Sequence, residues 1–276
     1  LSPTGHIEHA AFVYDDGDHT YLILDAGGAT GIVDFLMKMK FMMRVEARQL
    51  DDVVVVGGCE GGLGSEILEP LLTWIDPWPD VVGDSVAYGP AAGDHPAAEL
   101  ARTWLAVIPA DRAEKAVAAW LDAGGQLAGM WAWEARRIAS YRPRFGTEVG
   151  ERALPHELDW LRTAVHLEKG CYRGQETIAR VVNLGRPPRR LVFLHLDGSD
   201  DRLPAIGSAV EAGGRTVGSL TSVARHMDDG PIGLALIKRN TPIDAELSVD
   251  GISATQVVIC DPEGRTDRAY ERPKLR

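Results

Sequence analysis

Lys169-Gly170-Cys171-Tyr172-Arg173-Gly174-Gln175-Glu176 is the stretch on which the reading of this chain turns. Two glycines bracket Cys171, Tyr172 and Arg173, a spacing that describes a tight turn exposing a thiol. The thiolate is the reactive form of cysteine, and Lys169 and Arg173 place cations on either side of it. The flanking groups suit a planar heterocycle: Gln175 donates and accepts, Glu176 accepts, and Tyr172 offers a face for stacking. On chemistry alone the same residues read equally well as a structural turn around a small buried cysteine.

Charge changes sign around this stretch. Residues 136–190 hold twelve Lys and Arg against six acids, a net +6 within a chain of −11, so the remainder carries −17. A basic island in an acidic body favours a small polyanion in a cleft over a nucleic acid wrapped around the outside. The alternative is that these arginines form ion pairs with their acidic surroundings, each contributing little.

Upstream, residues 6–14 and 20–24 read as strands joined by Asp15-Asp16-Gly17-Asp18, hence a hairpin. Residues 28–40 take a helical period, 45–56 return to strand, 64–72 and 112–123 read as helices, and 100–108 as a strand. Gly124-Gly125 ends the last helix. Hairpins mixed with crossovers indicate an α+β region over 1–184. After Pro187-Pro188 come short β-branched runs at 191–196, 215–224, 230–237, 245–249 and 253–259, which predict a small antiparallel barrel over 185–276.

Most standard chemistries find no foothold. The glycine-rich run 57–65 fits neither a Walker loop nor a dinucleotide fingerprint, and Glu60 would repel phosphate, so it is expected to be a flexible strand-to-helix loop. Strand alternation across His6, Glu8 and His9 gives at most two convergent ligands, and no metal site is expected. No GxSxG elbow is present. Cys59, Cys171 and Cys260 are odd in number and far apart, which points to a reducing cytoplasm rather than a disulfide framework. No apolar run reaches membrane-spanning length, so no membrane span is expected, and the net charge of −11 disfavours DNA, RNA and an anionic membrane as partners. The opening Leu1-Ser2-Pro3-Thr4-Gly5 has no leader character and suggests a natural start further upstream.

The octapeptide, continued by Thr177-Ile178-Ala179-Arg180, resembles the signature of YgfZ-type folate-binding proteins, relatives of the glycine-cleavage T-protein (aminomethyltransferase) that serve iron–sulfur enzyme maturation. Leu1 to Gly5 resembles the family's Ser-Pro-x-Gly entry. Phe193 to Leu196, Val217-Gly218 with Thr221-Ser222, and Gly233 to Ile237 with Arg239 resemble its carboxy-terminal barrel.

The resemblance implies a three-lobed T-protein-like architecture, with a ferredoxin-like portion, an interleaved α+β portion and a barrel around a channel holding tetrahydrofolate. It carries Cys171 over as the reactive residue, with Lys169 and Tyr172 beside it. Gly170, Gly174, Gln175 and Glu176 carry over as ligand-binding positions, and Arg142, Arg144 and Arg180 are assigned to the glutamate carboxylates of a folate. The implied function is an accessory role in assembling or repairing iron–sulfur clusters in client enzymes, the alternative being aminomethyl transfer or demethylation with Glu8 as substitute acid. Two family features differ: T-proteins place paired catalytic aspartates on the first hairpin, where this chain has Glu8-His9-Ala10, and a pterin-binding segment is altered. An Arg-Ile-Glu-Ala-Gly type segment supplies an acid to the pterin, whereas Arg137-Ile138 is followed here by Ala139-Ser140-Tyr141. Losing that acceptor is expected to cost folate binding about 1–3 kcal/mol.

Overall fold

The hairpin at the start of the chain is present but shorter than its apolar pattern. In the computed structural model, which describes residues 1–59, 63–184 and 186–264, β1 (Phe12–Asp15) pairs antiparallel with β2 (Thr20–Ile23). Asp15 and Asp16 close the turn by accepting from the backbone of Gly17, Asp18 and His19. Helix α1 (Ala29–Met39) follows, with no buried residue. A three-stranded sheet β3-β5-β4 is built from β3 (Val53–Cys59), β4 (Leu72–Ile75) and β5 (Thr103–Pro109). Alternation assigns its two faces. Trp104, Ala106 and Ile108 pack with Val54 and Val56 against Ala116 and Trp120 of α2 (Ala113–Asp122), while Val107 and Leu105 pack with Leu72 against Tyr21 and Ile23 of the hairpin.

Two local expectations are corrected here. Gly57 and Gly58 belong to β3, paired with Leu105 and Trp104, rather than to a flexible loop. A side chain at 58 would collide with the Trp104 indole, so packing explains that glycine. Glu60, Gly61 and Gly62 lie outside the described residues. The helix expected over 64–72 shrinks to one 3-10 turn, Ser65–Leu68, because Leu72 onward is claimed by the sheet as β4.

After β5 and α2 come α3 (Met130–Ala139), the short α4 (Phe145–Glu148) and α5 (Leu161–Ala164), and α6 (Gln175–Leu184). The barrel then closes with six strands, β6 (Arg189–Leu196), β7 (Ala209–Ala212), β8 (Arg215–His226), β9 (Gly230–Lys238), β10 (Leu247–Val249) and β11 (Ile252–Val258), in the order β10-β11-β6-β9-β8-β7. Its interior holds Val192, Leu194 and Leu196 with Leu220, Ile237 and Val249. Leu191, Phe193, Leu234 and Leu236, on the opposite faces of β6 and β9, are buried as well, and α3 lies against β8 and β9. Strands buried on both faces read as unbroken apolar runs.

The chain divides into two compact units. One comprises Glu8–Asp76 and Ala101–Leu127; the other comprises Leu1–Ile7, Pro77–Leu100 and everything from Ala128. The barrel therefore shares a unit with residues 128–188.

Two histidines are locked inside the second of these units. His95 Nδ1 accepts from Ala97 N at 3.1 Å, and the imidazole lies edge-on to Trp78 at 5.3 Å. His156 is fully buried, its Nε2 facing Ile178 O at 3.2 Å. Burial pushes both pKa values down, to about 3 for His95, where the Arg162 charge adds to the effect, and to about 4 for His156. An unfolded histidine titrates near 6.5. Below that pH the unfolded chain takes up protons that the folded one refuses, so the stability is present above pH 6.5 and is lost as the pH falls. The denaturant midpoint should drop between pH 7 and pH 5, with a limiting slope of about 1.4 kcal/mol per pH unit for each histidine. A His95→Asn/His156→Gln variant should show a flatter profile, and an unchanged slope would assign the acid sensitivity elsewhere.

Candidate functional site

The octapeptide forms a turn that runs straight into a helix. Gln175 N donates to Tyr172 O at 3.2 Å, and Ile178 N to Gly174 O at 3.2 Å, so Gly174 is where the turn becomes α6. Gly174 has φ +83, a left-handed conformation, and a Cβ there would fall 2.6 Å from Ser2 O and 2.8 Å from Gly5 Cα. Gly5, at φ +78, packs in turn on Thr177. The two segments singled out in the sequence, 1–5 and 169–176, therefore interlock backbone to backbone. Hydrogen bonds within the first segment fix its shape: Ser2 Oγ accepts from His6 N at 3.0 Å, and Thr4 Oγ1 lies 3.0 Å from both Ser2 Oγ and His6 Nδ1. His6 thus belongs to this loop rather than to the hairpin.

Cys171 is exposed, Cys59 half-buried and Cys260 buried. Lys169 Nζ sits 5.0 Å from the centre of the Tyr172 ring, a cation–π pair, so that cation is oriented by the tyrosine. Burial raises the Tyr172 pKa, leaving the phenol neutral. A groove of about 670 Å³ opens beside the turn, lined among others by Tyr172, Gln175 and Ala179, with Asp84 and Glu168. Positions 175, 179, 182 and 183 give it one face of α6. It offers an aromatic face, an amide and two carboxylates.

Other predicted residues lie elsewhere. Glu176 and Arg180 are exposed and do not line the groove. Gly170 has open space around it. Glu8 begins the other compact unit. Arg144 is committed to Glu134 at 2.7 Å, and Arg142 stacks on Trp78 at 4.8 Å.

The basic island is largely an internal ion-pair framework. Arg137 reaches Glu134 at 2.9 Å, Glu148 at 3.1 Å and Ser222 Oγ at 2.6 Å, and Ser222 donates to Glu148. A register shift between Leu220 and Ser222 in β8 accompanies that orientation of Ser222. Arg189 pairs with the buried Glu157 at 2.7 Å. Arg162 pairs with Asp159, both fully buried, and also donates to Pro79 O and Pro90 O. The sequence left ion pairing open as an alternative but placed the pairs at the surface, because a buried arginine and a surface arginine look alike in a charge count.

The segment that departs from the family pattern is reorganised. Tyr141 takes φ +51, in the left-handed region where the pattern has glycine, and its ring lies against His95 at 5.6 Å and Phe193 at 5.1 Å. Arg137 is satisfied by Glu134 and Glu148 without an acid at 139.

Residues 189–262 match the family model for the CAF17 C-terminal β-barrel domain. The tRNA-modifying protein YgfZ of Edwardsiella ictaluri is 28% identical over 223 residues, covering 79% of this chain and 66% of that protein. The chain is similar to YgfZ-type proteins. YgfZ of Aliivibrio fischeri strain MJ11 is 25% identical over 151 residues, 53% of this chain and 46% of that one. A chloroplastic protein of Arabidopsis thaliana is 36% identical over 132 residues, 45% of this chain and 28% of that one. The chain thus spans between 28% and 66% of the length of these relatives. Its fold is that of the T-protein: the glycine cleavage system aminomethyltransferase T of Bartonella henselae superposes with a TM-score of 0.68 at 17% identity, covering 95% of this chain and 73% of that one. The α+β architecture with a C-terminal antiparallel barrel follows the expectation. Among the described residues no helix is long and apolar enough to cross a membrane.

Proposed function

We propose that this chain is an accessory factor for assembling or repairing iron–sulfur clusters in client enzymes, and that it binds a tetrahydrofolate-type ligand. The observation that carries the first part is the exposed Cys171 on a turn clasped by residues 1–5, beside a groove able to hold a small molecule. Among the described residues no group of three or more His, Cys, Asp or Glu is placed to hold a metal ion. In this reading Cys171 acts on a cluster in passing, since one thiolate cannot complete a four-thiolate ligand set, and the client supplies the rest. The name of the YgfZ relatives, tRNA-modifying protein, fits a client that modifies tRNA.

For the ligand, Tyr172 supplies a stacking face, Gln175 a donor and an acceptor, and Asp84 and Glu168 acceptors for ring N–H groups, a set that fits a planar, donor-rich heterocycle. Lys169 is held 5.0 Å from the centre of the Tyr172 ring that lines the groove. Arg180 is exposed, with no ion-pair partner among the described residues, and stays the arginine assigned to a folate carboxylate.

A strain carrying Cys171→Ala should lose activity of an iron–sulfur client under oxidative stress to the level of a strain lacking the protein; wild-type activity would sink the cluster role. For the folate, calorimetric titration of tetrahydrofolate should give about tenfold tighter binding to an Ala139→Glu variant, equal to about 1.4 kcal/mol. Absence of binding to both proteins removes the ligand. The T-protein fold favours a second reading, one-carbon transfer from an aminomethyl donor with Glu8 as acid. Purified protein that releases no methylenetetrahydrofolate from such a donor excludes it.

A further inference from the structure

The inside of the barrel holds a positive charge with no acid to meet it. Arg190 alternates along β6 with Val192, Leu194 and Leu196 and lies opposite Ile237 of β9, so its side chain shares their inward face. Gln256 takes the same face of β11 as Ile252 and Ala254, and Thr241 follows shortly after Lys238, where β9 ends. All three side chains are buried, that of Arg190 completely.

Neutral oxygens meet part of the guanidinium. Nε donates to Arg239 O at 3.3 Å, and Nη2 donates to Thr241 O at 3.0 Å and to Gln256 Oε1 at 2.8 Å. The Gln256 amide is oriented for this by its own donation to Pro242 O at 2.9 Å. Nη1 has no hydrogen-bond partner among the described residues, and neither has the hydroxyl of Thr241, the residue whose carbonyl Nη2 grips. Two unmet polar groups thus belong to two side chains brought together by a direct hydrogen bond. His95 Nε2, Trp104 Nε1 and His156 Nδ1 are also unmet, but they sit on neutral rings placed edge-on to aromatic neighbours. Arg190 carries a charge that it cannot give up. It forms no ion pair among the described residues; Asp261 acts on it through space, while the Asp261 carboxylate accepts from Glu263 N at 2.7 Å.

We propose that Arg190 Nη1 and Thr241 Oγ1 bind a small monovalent anion, chloride, inside the barrel. Both groups are donors, and the guanidinium beside them excludes a cation. A water molecule would meet the two hydrogen bonds but leave the buried charge uncompensated, which is the costlier of the two deficits. Nη1 and Oγ1 are shut off from solvent, which suits a single-atom anion and not sulfate or phosphate. The site does not rest on the role proposed for Cys171.

The test uses the full chain freed of chloride, with gluconate holding the ionic strength constant. Each tenfold increase in chloride above its dissociation constant should raise the melting midpoint by about 3 °C. Thr241→Val keeps the shape and removes the hydroxyl, and it should need at least tenfold more chloride for the same rise; Arg190→Gln should show no rise. No response in the wild type, or an equal response in the wild type and the variants, overturns the site. Should Arg190→Gln fail to fold, Thr241→Val carries the comparison. Crystals grown in bromide separate ion from solvent. An anomalous peak should lie in contact with Nη1 and Oγ1, and an ordered water only, without anomalous signal, overturns the proposal.

Discussion

Gly174→Ala should destabilise the chain by about 3 kcal/mol, because two penalties coincide at one atom. A left-handed backbone costs an L-residue about 1–2 kcal/mol. Overpacking costs about 1–3 kcal/mol where the obstruction cannot move aside. The obstruction is backbone, Ser2 O at 2.6 Å and Gly5 N at 2.9 Å from the new methyl group, so no rotamer change relieves it. Gly170→Ala is the internal control. That position has open space and no positive φ, and its replacement should stay within about 0.5 kcal/mol of wild type. Urea midpoints of the two variants decide the matter. Equal midpoints would mean that the clasp between 1–5 and 174 does not form.

Arg162→Met should cost still more, about 3–5 kcal/mol, the usual outcome when one partner of a buried ion pair is removed. Asp159 would remain fully buried without its cation, and the carbonyls of Pro79 and Pro90 would lose their donor. Adding Asp159→Asn should recover part of the loss. An amide removes the stranded charge, keeps an oxygen for Tyr88 N, which donates to Asp159 at 2.6 Å, and tolerates the φ of +56. The pH response separates charge from packing. Burial raises the Asp159 pKa, against the lowering pull of Arg162, and without the arginine the rise is larger. A folded carboxyl that holds its proton more tightly than the unfolded one is favoured by acid, so its cost grows as the pH rises above the unfolded value. The deficit of Arg162→Met should therefore be smaller at pH 5 than at pH 7, while that of the double variant should be alike at both.

The barrel was legible because its strands alternate or run apolar without interruption; only the four-residue β7 escaped notice. Helix α3 was illegible for a physical reason. It exposes Met130 and Trp131 and buries Arg137, so its polarity is inverted and a hydrophobic period finds nothing. Helix α6 was hidden by the motif at its start, where the glycines drew attention to the turn and away from the Ile178 and Val182 spacing that follows. Within the octapeptide the sequence treats Gly170 and Gly174 alike. Only the second is sterically required, and only the fold reveals what presses against it.

That contact also constrains the order in which the molecule can assemble. Leu1–Ile7 belongs to one compact unit, yet the next seventy or so residues belong to the other, and the partner of Gly5 lies about 170 residues along the chain. During synthesis the first residues must wait, unpaired, until α6 has left the ribosome. Closing so long a loop is a late event that rewards no earlier step, and contacts of such high sequence separation slow folding. The hairpin and α2 can form from shorter-range contacts well before it. The functional turn thus cannot acquire its shape until α6 has been made, whereas the hairpin needs only its own neighbours.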